Sequence, residues 1–113
     1  MTNYQRYQSI RQLNNRMTKH DLSELKELIL HHFHDDDIKI FLFGSRARNE
    51  NIEYSDVDVG LLPSKKLDAS KIVLLREKIE NSNIPYKVDI VNVNEVSEDF
   101  KKEMLKDAVI WND

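Results

Sequence analysis

The residues best suited to chemistry in this chain fall in three places: Gly44-Ser45 with Arg46 and Arg48 just behind, Asp56 and Asp58 in Ser55-Asp56-Val57-Asp58, and Asp89 in Lys87-Val88-Asp89-Ile90-Val91. Phosphate-handling chemistry needs backbone N–H groups at a turn into a helix to hold an anion, and carboxylates on a strand to hold the divalent cation that travels with it. Both parts adjoin apolar runs, Ile38 to Phe43 ahead of Gly44 and Val57 to Leu62 around Asp58. The chain has two glycines in 113 residues, and one of them ends an apolar run directly before a serine. A nucleotide site is the first expectation.

Asp56 and Asp58 stand two apart at the start of a predicted strand, so their side chains share a face with α-carbons roughly 6.5 to 7 Å apart. Carboxylates that close repel unless a cation sits between them or one takes up a proton. Mg²⁺ is the natural counter-ion, because it prefers oxygen ligands and is commonly shared with substrate phosphates. Asp89 is a third carboxylate in an otherwise apolar run. If its strand lies beside Val57 to Leu62, the three acids form a cluster able to hold two metals about 3.5 to 4 Å apart. Alone, an Asp-x-Asp is most often a solvated strand end and a Gly-Ser most often a turn. An acid inside an apolar strand is harder to dismiss, since an unpaired buried charge is costly.

The elements that must position these residues are read from periodicity. Thr2 to Arg16 carries Tyr7, Ile10, Leu13 and, just beyond, Met17 at helical spacing, weakened by Asn14-Asn15. From Thr18 the pattern sharpens, with Leu22, Leu25, Leu28, Ile29 and Phe33 on one face and Thr18 or Asp21 as caps. Ile38 to Phe43 reads as a buried strand, Ser45 to about Glu50 as a short helix, and Val57 to Leu62 as the second strand. Asp68 to Asn81 is a long helix through Ile72, Leu75 and Ile79, and Tyr86 to Val93 a third strand. Ser97 to Lys106 is a helix with a capping-box-like start whose buried side is Phe100, Met104 and Leu105. Ala108 to Trp111 adds an edge strand. This order predicts an α+β fold, a small mixed β-sheet flanked by helices, with the relative direction of the first two strands left open.

Composition narrows the classes. At 40% hydrophobic, 33% charged and a net charge of −3, the chain reads as one ordinary soluble domain over residues 1–113 without a broad nucleic-acid surface. The first twenty residues hold Arg6, Arg11, Arg16 and Lys19 and only at Asp21 meet an acid, so residues 1–17 form a polar basic N-terminal arm. The absence of cysteine removes disulfides, thiolate zinc sites and a Cys nucleophile. No apolar run approaches the roughly 20 residues of a bilayer span, and the expected location is cytoplasmic. His31, His32 and His34 beside Asp35-Asp36-Asp37 imitate a metal cluster. They also end an amphipathic helix, where histidine complements the negative pole, and structural or solvated roles are expected of them.

Gly44-Ser45, ten intervening residues, Asp56-Val57-Asp58 and a later acidic Asp89 together resemble the minimal nucleotidyltransferases of the DNA polymerase β superfamily, from about residue 20 to the end. Ser82 to Asp89 and Ser97-Glu98-Asp99-Phe100 are similar to one small bacterial subgroup, the antitoxins paired with HEPN-domain proteins. The resemblance implies a polymerase β-like palm fold in which Asp56, Asp58 and Asp89 are catalytic and bind two Mg²⁺ ions, Asp89 at the metal nearest the acceptor hydroxyl. It further implies that Gly44 lets the backbone approach the triphosphate of ATP and that Ser45 supplies a hydroxyl and an N–H, with Arg46 and Arg48 as candidate phosphate contacts. Asn49 departs from the pattern by standing where a glycine is common. The implied reaction is attack of an acceptor oxygen on the α-phosphorus with loss of pyrophosphate. A chain of this length has little room for an acceptor-binding lobe, so a partner in trans is expected: a small helical HEPN-type toxin encoded nearby, adenylylated on a tyrosine. Transfer to a small molecule or RNA, and neutralisation of the partner by binding alone, stay open.

Overall fold

The computed structural model describes residues 22–48 and 56–112. The expected first helical segment, the basic arm, the caps Thr18 and Asp21, and Asn49 lie outside these residues. Helix α1 (Ser23–His32) buries Leu25 and Ile29, four positions apart, and Phe33 immediately after it. Helix α2 (Ala69–Glu80) starts at Asp68, whose carboxylate accepts the Ser70 N–H at 3.0 Å and is drawn below its ordinary value by that bond. Helix α3 (Glu98–Lys106) starts the same way, with Ser97 Oγ accepting the Phe100 N–H at 3.1 Å.

Strands β1 (Ile38–Phe43), β2 (Val57–Pro63), β3 (Val88–Asn92) and β4 (Val109–Ile110) form one sheet in the order β3-β2-β1-β4. The expected mixed sheet is present, and the direction left open is settled: β1 runs antiparallel to β2, while β2 and β3, joined through α2, are parallel. β4 pairs antiparallel with β1 at the far edge. Asn112 prolongs that pairing with its side chain, accepting the Ile40 N–H at 2.9 Å and donating to the Ile38 carbonyl at 2.6 Å.

The two faces of the sheet differ, because successive side chains alternate. Ile38, Ile40, Leu42, Val57, Val59, Leu61 and Ile90 form the main core with Leu25, Ile29, Phe33, Ile72 and Leu75 from α1 and α2. A clamp of polar contacts joins the same two helices. His32 Nε2 donates to the Lys71 carbonyl (2.8 Å), Lys78 Nζ donates to His32 Nδ1 (3.0 Å), and Lys71 Nζ reaches Asp36 (2.8 Å). His32 therefore serves the helix packing, while His31 and His34 are exposed and stack on one another.

The opposite face holds a smaller cluster of Phe41, Phe43 and Val93 closed by Met104. Here the expected buried side of α3 is corrected. Met104 is buried, but Phe100 and Leu105 are 45% and 38% exposed, because this cluster is small enough to be covered by one side chain of the helix. Val73 and Leu74 on α2 are likewise half exposed, leaving Ile72 and Leu75 to face the sheet. The expected short helix after β1 is a turn over its described part, with the Ala47 and Arg48 N–H groups both donating to the Gly44 carbonyl at 3.1 and 3.2 Å.

Gly60 lies opposite Phe41 in the β1–β2 register, and a Cβ there would collide with the Phe41 ring. Gly60→Ala is expected to lower stability by about 1–3 kcal/mol as an overpacking change. Urea unfolding checks this, and a second substitution, Phe41→Leu, should recover part of the loss only in the Gly60→Ala background.

Candidate active site

The carboxylates meet through strand register. Asp58 of β2 pairs with Asp89 of the parallel strand β3, and on its other side with Phe43, the last residue of β1. Neighbouring strands lie about 4.8 Å apart, so two acids level on one face stand side by side. Both occupy the face of Gly60, Leu62 and Val91, which α3 covers further along through Met104. That face is thus divided into an apolar part under α3 and an acidic end where β2 and β3 begin and β1 ends. Asp56 lies at the exposed entrance to β2.

Asp58 carries the electrostatic strain of the arrangement. Its carboxyl is pushed above the ordinary carboxylate range, first by burial, then by the charges of Asp89 and Asp56 and by a hydrogen-bonding contact with Asp89, while Arg48 pulls it back. Lys87 Nζ stands 3.9 Å from Asp89 Oδ1, a pair too exposed to offset much of this. Among the described residues, no three His, Cys, Asp or Glu side chains are gathered closely enough to enclose an ion. The donor set itself suits a hard divalent cation: carboxylate oxygens, two of them paired on one face.

Gly44 completes the acidic end. It follows β1 with φ +77°, a conformation that L side chains rarely adopt, and a Cβ on it would collide with Asp58 Oδ2. The glycine therefore makes room for the carboxylate at the same point where the chain turns. The two arginines behind it diverge. Arg48 is exposed, and its charge is felt by Asp58. Arg46 is buried, 6% exposed, with its guanidinium over the ring of Tyr86 at 5.4 Å. This contact is not legible in the sequence, because the pair is 40 residues apart and only the fold joins it.

The raised carboxyl has a consequence for stability. A group that binds its proton more tightly in the folded state stabilises the fold while protonated, and that contribution is lost as pH rises from the ordinary carboxylate range through the raised value. Without divalent cation, Asp58→Asn should therefore melt above the wild-type chain at neutral pH, and the difference should close in acid. Thermal melts across pH in a chelating buffer check this; a difference of constant size would contradict it.

Comparison with known proteins agrees with this geometry. Residues 23–113 match the family described as polymerase beta, nucleotidyltransferase. The probable protein adenylyltransferase MntA of Haemophilus influenzae is 31% identical over 74 residues, 66% of this chain and 65% of that protein, so the chain matches just under two thirds of that relative. A Methanocaldococcus jannaschii protein, provisionally named a protein adenylyltransferase, is 28% identical over 80% of this chain and 96% of its own length. In fold, the chain is similar to a toxin-antitoxin crystallised with AMP-PNP, with a TM-score of 0.61, 21% identity and coverage of 76% of this chain and 71% of that one. It is also similar to the tri-AMPylated Shewanella oneidensis HEPN toxin in complex with its MNT antitoxin, with a TM-score of 0.55, 22% identity and coverage of 76% and 67%. None of the helices among the described residues is long and apolar enough to cross a membrane. The matched span takes in the turn after β1 and all three acids, and the chain belongs to the polymerase β nucleotidyltransferase family.

Proposed function

We propose that this chain is a Mg²⁺-dependent protein adenylyltransferase that moves AMP from ATP to a tyrosine hydroxyl of a small helical HEPN-type toxin and so acts as its antitoxin. The observation that carries the reading is the level pairing of Asp58 with Asp89 beside a glycine that cannot carry a side chain. The acceptor class is suggested by the relatives, which include a named adenylyltransferase and a fold neighbour in complex with an AMPylated HEPN toxin.

In this proposal Asp56, Asp58 and Asp89 would hold the cations. Bound there, two divalent cations would supply charge neutralisation for the attacking and departing oxygens. The turn that carries Gly44, Ser45 and Arg48 forms the nucleotide-binding segment, with Arg46 withdrawn onto Tyr86, and Gly44 leaves the backbone open to the triphosphate. Arg48, whose charge already reaches Asp58, balances the negative charge that nucleotide brings to the acidic end. The acceptor oxygen bonds to the α-phosphorus as the bond to the β-phosphate oxygen breaks, and the hydroxyl proton is lost to solvent or to the departing pyrophosphate. No covalent intermediate on the chain is needed. The paired carboxylates account for the cost of keeping this end acidic, which a chain acting by binding alone would have no reason to bear.

Intact-mass spectrometry of a HEPN-type partner co-expressed with the chain should show one AMP mass per transfer, dependent on Mg²⁺ and absent with Asp56→Asn or Asp58→Asn. A partner that is silenced yet never modified would favour neutralisation by binding and overturn the proposal. Gly44→Val, strained by the positive φ and obstructed by Asp58, is expected to weaken ATP binding by more than about tenfold. Calorimetry measures it, and wild-type affinity in that variant would remove the glycine from the phosphate site.

A further inference from the structure

The turn after β1 has to hold its frame although it is neither helix nor strand. Its backbone is pinned locally by the two N–H groups donating to the Gly44 carbonyl. Two side chains tie it to the rest of the domain: Ala47 packs against the main core, and Arg46 stacks on Tyr86. Tyr86 in turn stands at the mouth of β3. The next residue, Lys87, accepts the Val57 N–H through its carbonyl at 2.9 Å, which begins the pairing that sets Asp89 level with Asp58. One aromatic ring therefore bridges the segment that carries Gly44, Ser45 and Arg48 to the strand that carries Asp89.

The chemistry of Arg46 fits a brace. A guanidinium is planar and weakly hydrated, so it can lie flat on an aromatic face at low desolvation cost, where an ammonium would resist burial. Burial pulls Arg46 down from its ordinary value, and the phenol group of Tyr86 opposes that shift. Its orientation also matters. Turned onto Tyr86, Arg46 leaves Arg48 as the arginine whose charge acts on Asp58.

We propose that Tyr86 is a positioning residue for nucleotide binding: by stacking on Arg46 it fixes the turn of residues 44–48 against β3, so that the phosphate-binding groups and the carboxylate pair meet the triphosphate in one frame. This rests on the nucleotidyl-transfer reading above. Tyr86 needs no contact with the substrate in this role, since the stack uses its ring face.

The test compares the wild-type chain with Tyr86→Phe and Tyr86→Leu, by calorimetric affinity for AMP-PNP with Mg²⁺ and by KM and kcat for ATP. Tyr86→Phe keeps an aromatic face and should bind within about twofold of wild type, whereas Tyr86→Leu keeps apolar bulk but loses the face and should bind about tenfold more weakly. In Tyr86→Leu the KM for ATP should rise while kcat stays within about twofold, because the carboxylates are untouched. A purely structural role would lower kcat with the folded fraction and leave KM unchanged, and that pattern overturns the proposal. So does wild-type affinity in Tyr86→Leu. Should Tyr86→Leu not fold, Arg46→Met removes the same stack from the other side and should weaken binding equally; wild-type affinity in Arg46→Met overturns the proposal. Where both variants fold, the double variant should be no worse than either alone, since both delete one interaction, and additive losses overturn the proposal. Failure of the wild-type chain itself to bind AMP-PNP would overturn the underlying nucleotide reading, a result distinct from a wild-type chain that binds and a Tyr86→Leu chain that binds equally well.

Discussion

Two carboxylates held level on adjacent parallel strands are the constraint around which the rest of this domain is arranged. Asp58 and Asp89 sit side by side through the β2–β3 register, and burial and mutual repulsion both push Asp58 toward its neutral form. Such a pair weakens the fold that contains it, so the binding energy must come from elsewhere. It comes from the other face of the sheet, where β1 and β2 alternate fully buried side chains against α1 and α2. Because strand side chains point alternately up and down, the same strands can build a dry core on one side and an acidic end on the other without compromise at any single position.

The acidic end also needs space and counter-charge, and each is supplied by a residue at the margin of an element. Gly44 ends β1 with the one backbone conformation that turns the chain away while leaving the Asp58 carboxylate room. Arg48 lowers the local repulsion from an exposed position that a bound anion can still reach. Arg46 is withdrawn onto Tyr86. Any cation that bound the folded chain alone would stabilise it, the more so the further its free concentration exceeds its Kd. A metal bound there would compete with the proton for the same oxygens, which would link the pH response of the fold to metal binding.

Much of the domain is legible in the sequence because its signals are local. The helical spacing of Leu25, Ile29 and Phe33, the Asp68 and Ser97 caps, and the apolar runs of β1 and β2 all depend on neighbours within a few residues, and β1, β2, α2 and α3 appear within a residue of their expected bounds, whereas α1 is shorter than the stretch from Thr18 onward. The closeness of Asp56 to Asp58 follows from their two-residue separation; Asp56 precedes β2, and its charge acts on Asp58. What stayed hidden depends on register across long separations. The sequence leaves open whether Asp89 aligns with Asp58 and whether Arg46 lies on Tyr86, which require β3 to be placed beside β2, and what a side chain at Gly44 would strike, which requires the antiparallel β1–β2 register. Periodicity also overstated burial on α3. Helical spacing marks Phe100, Met104 and Leu105 as one side, but how much of that side is covered depends on the width of the opposing cluster, which only Met104 reaches. Spacing equally promised a helix after Gly44, where a turn of bonds to its carbonyl is found.

The account turns on whether the Asp58–Asp89 pair is a cation site of the folded chain. The most direct measurement is titration of Mn²⁺ into the wild-type chain and Asp89→Asn, following free and bound ion by electron paramagnetic resonance, with circular dichroism to show that both are folded. Saturable binding to the wild-type chain is expected, with affinity lower by at least about tenfold in Asp89→Asn, no less than the loss usual for removing a residue that only orients a ligand. Equal binding by the two folded chains, or none by either with nucleotide present, would contradict it.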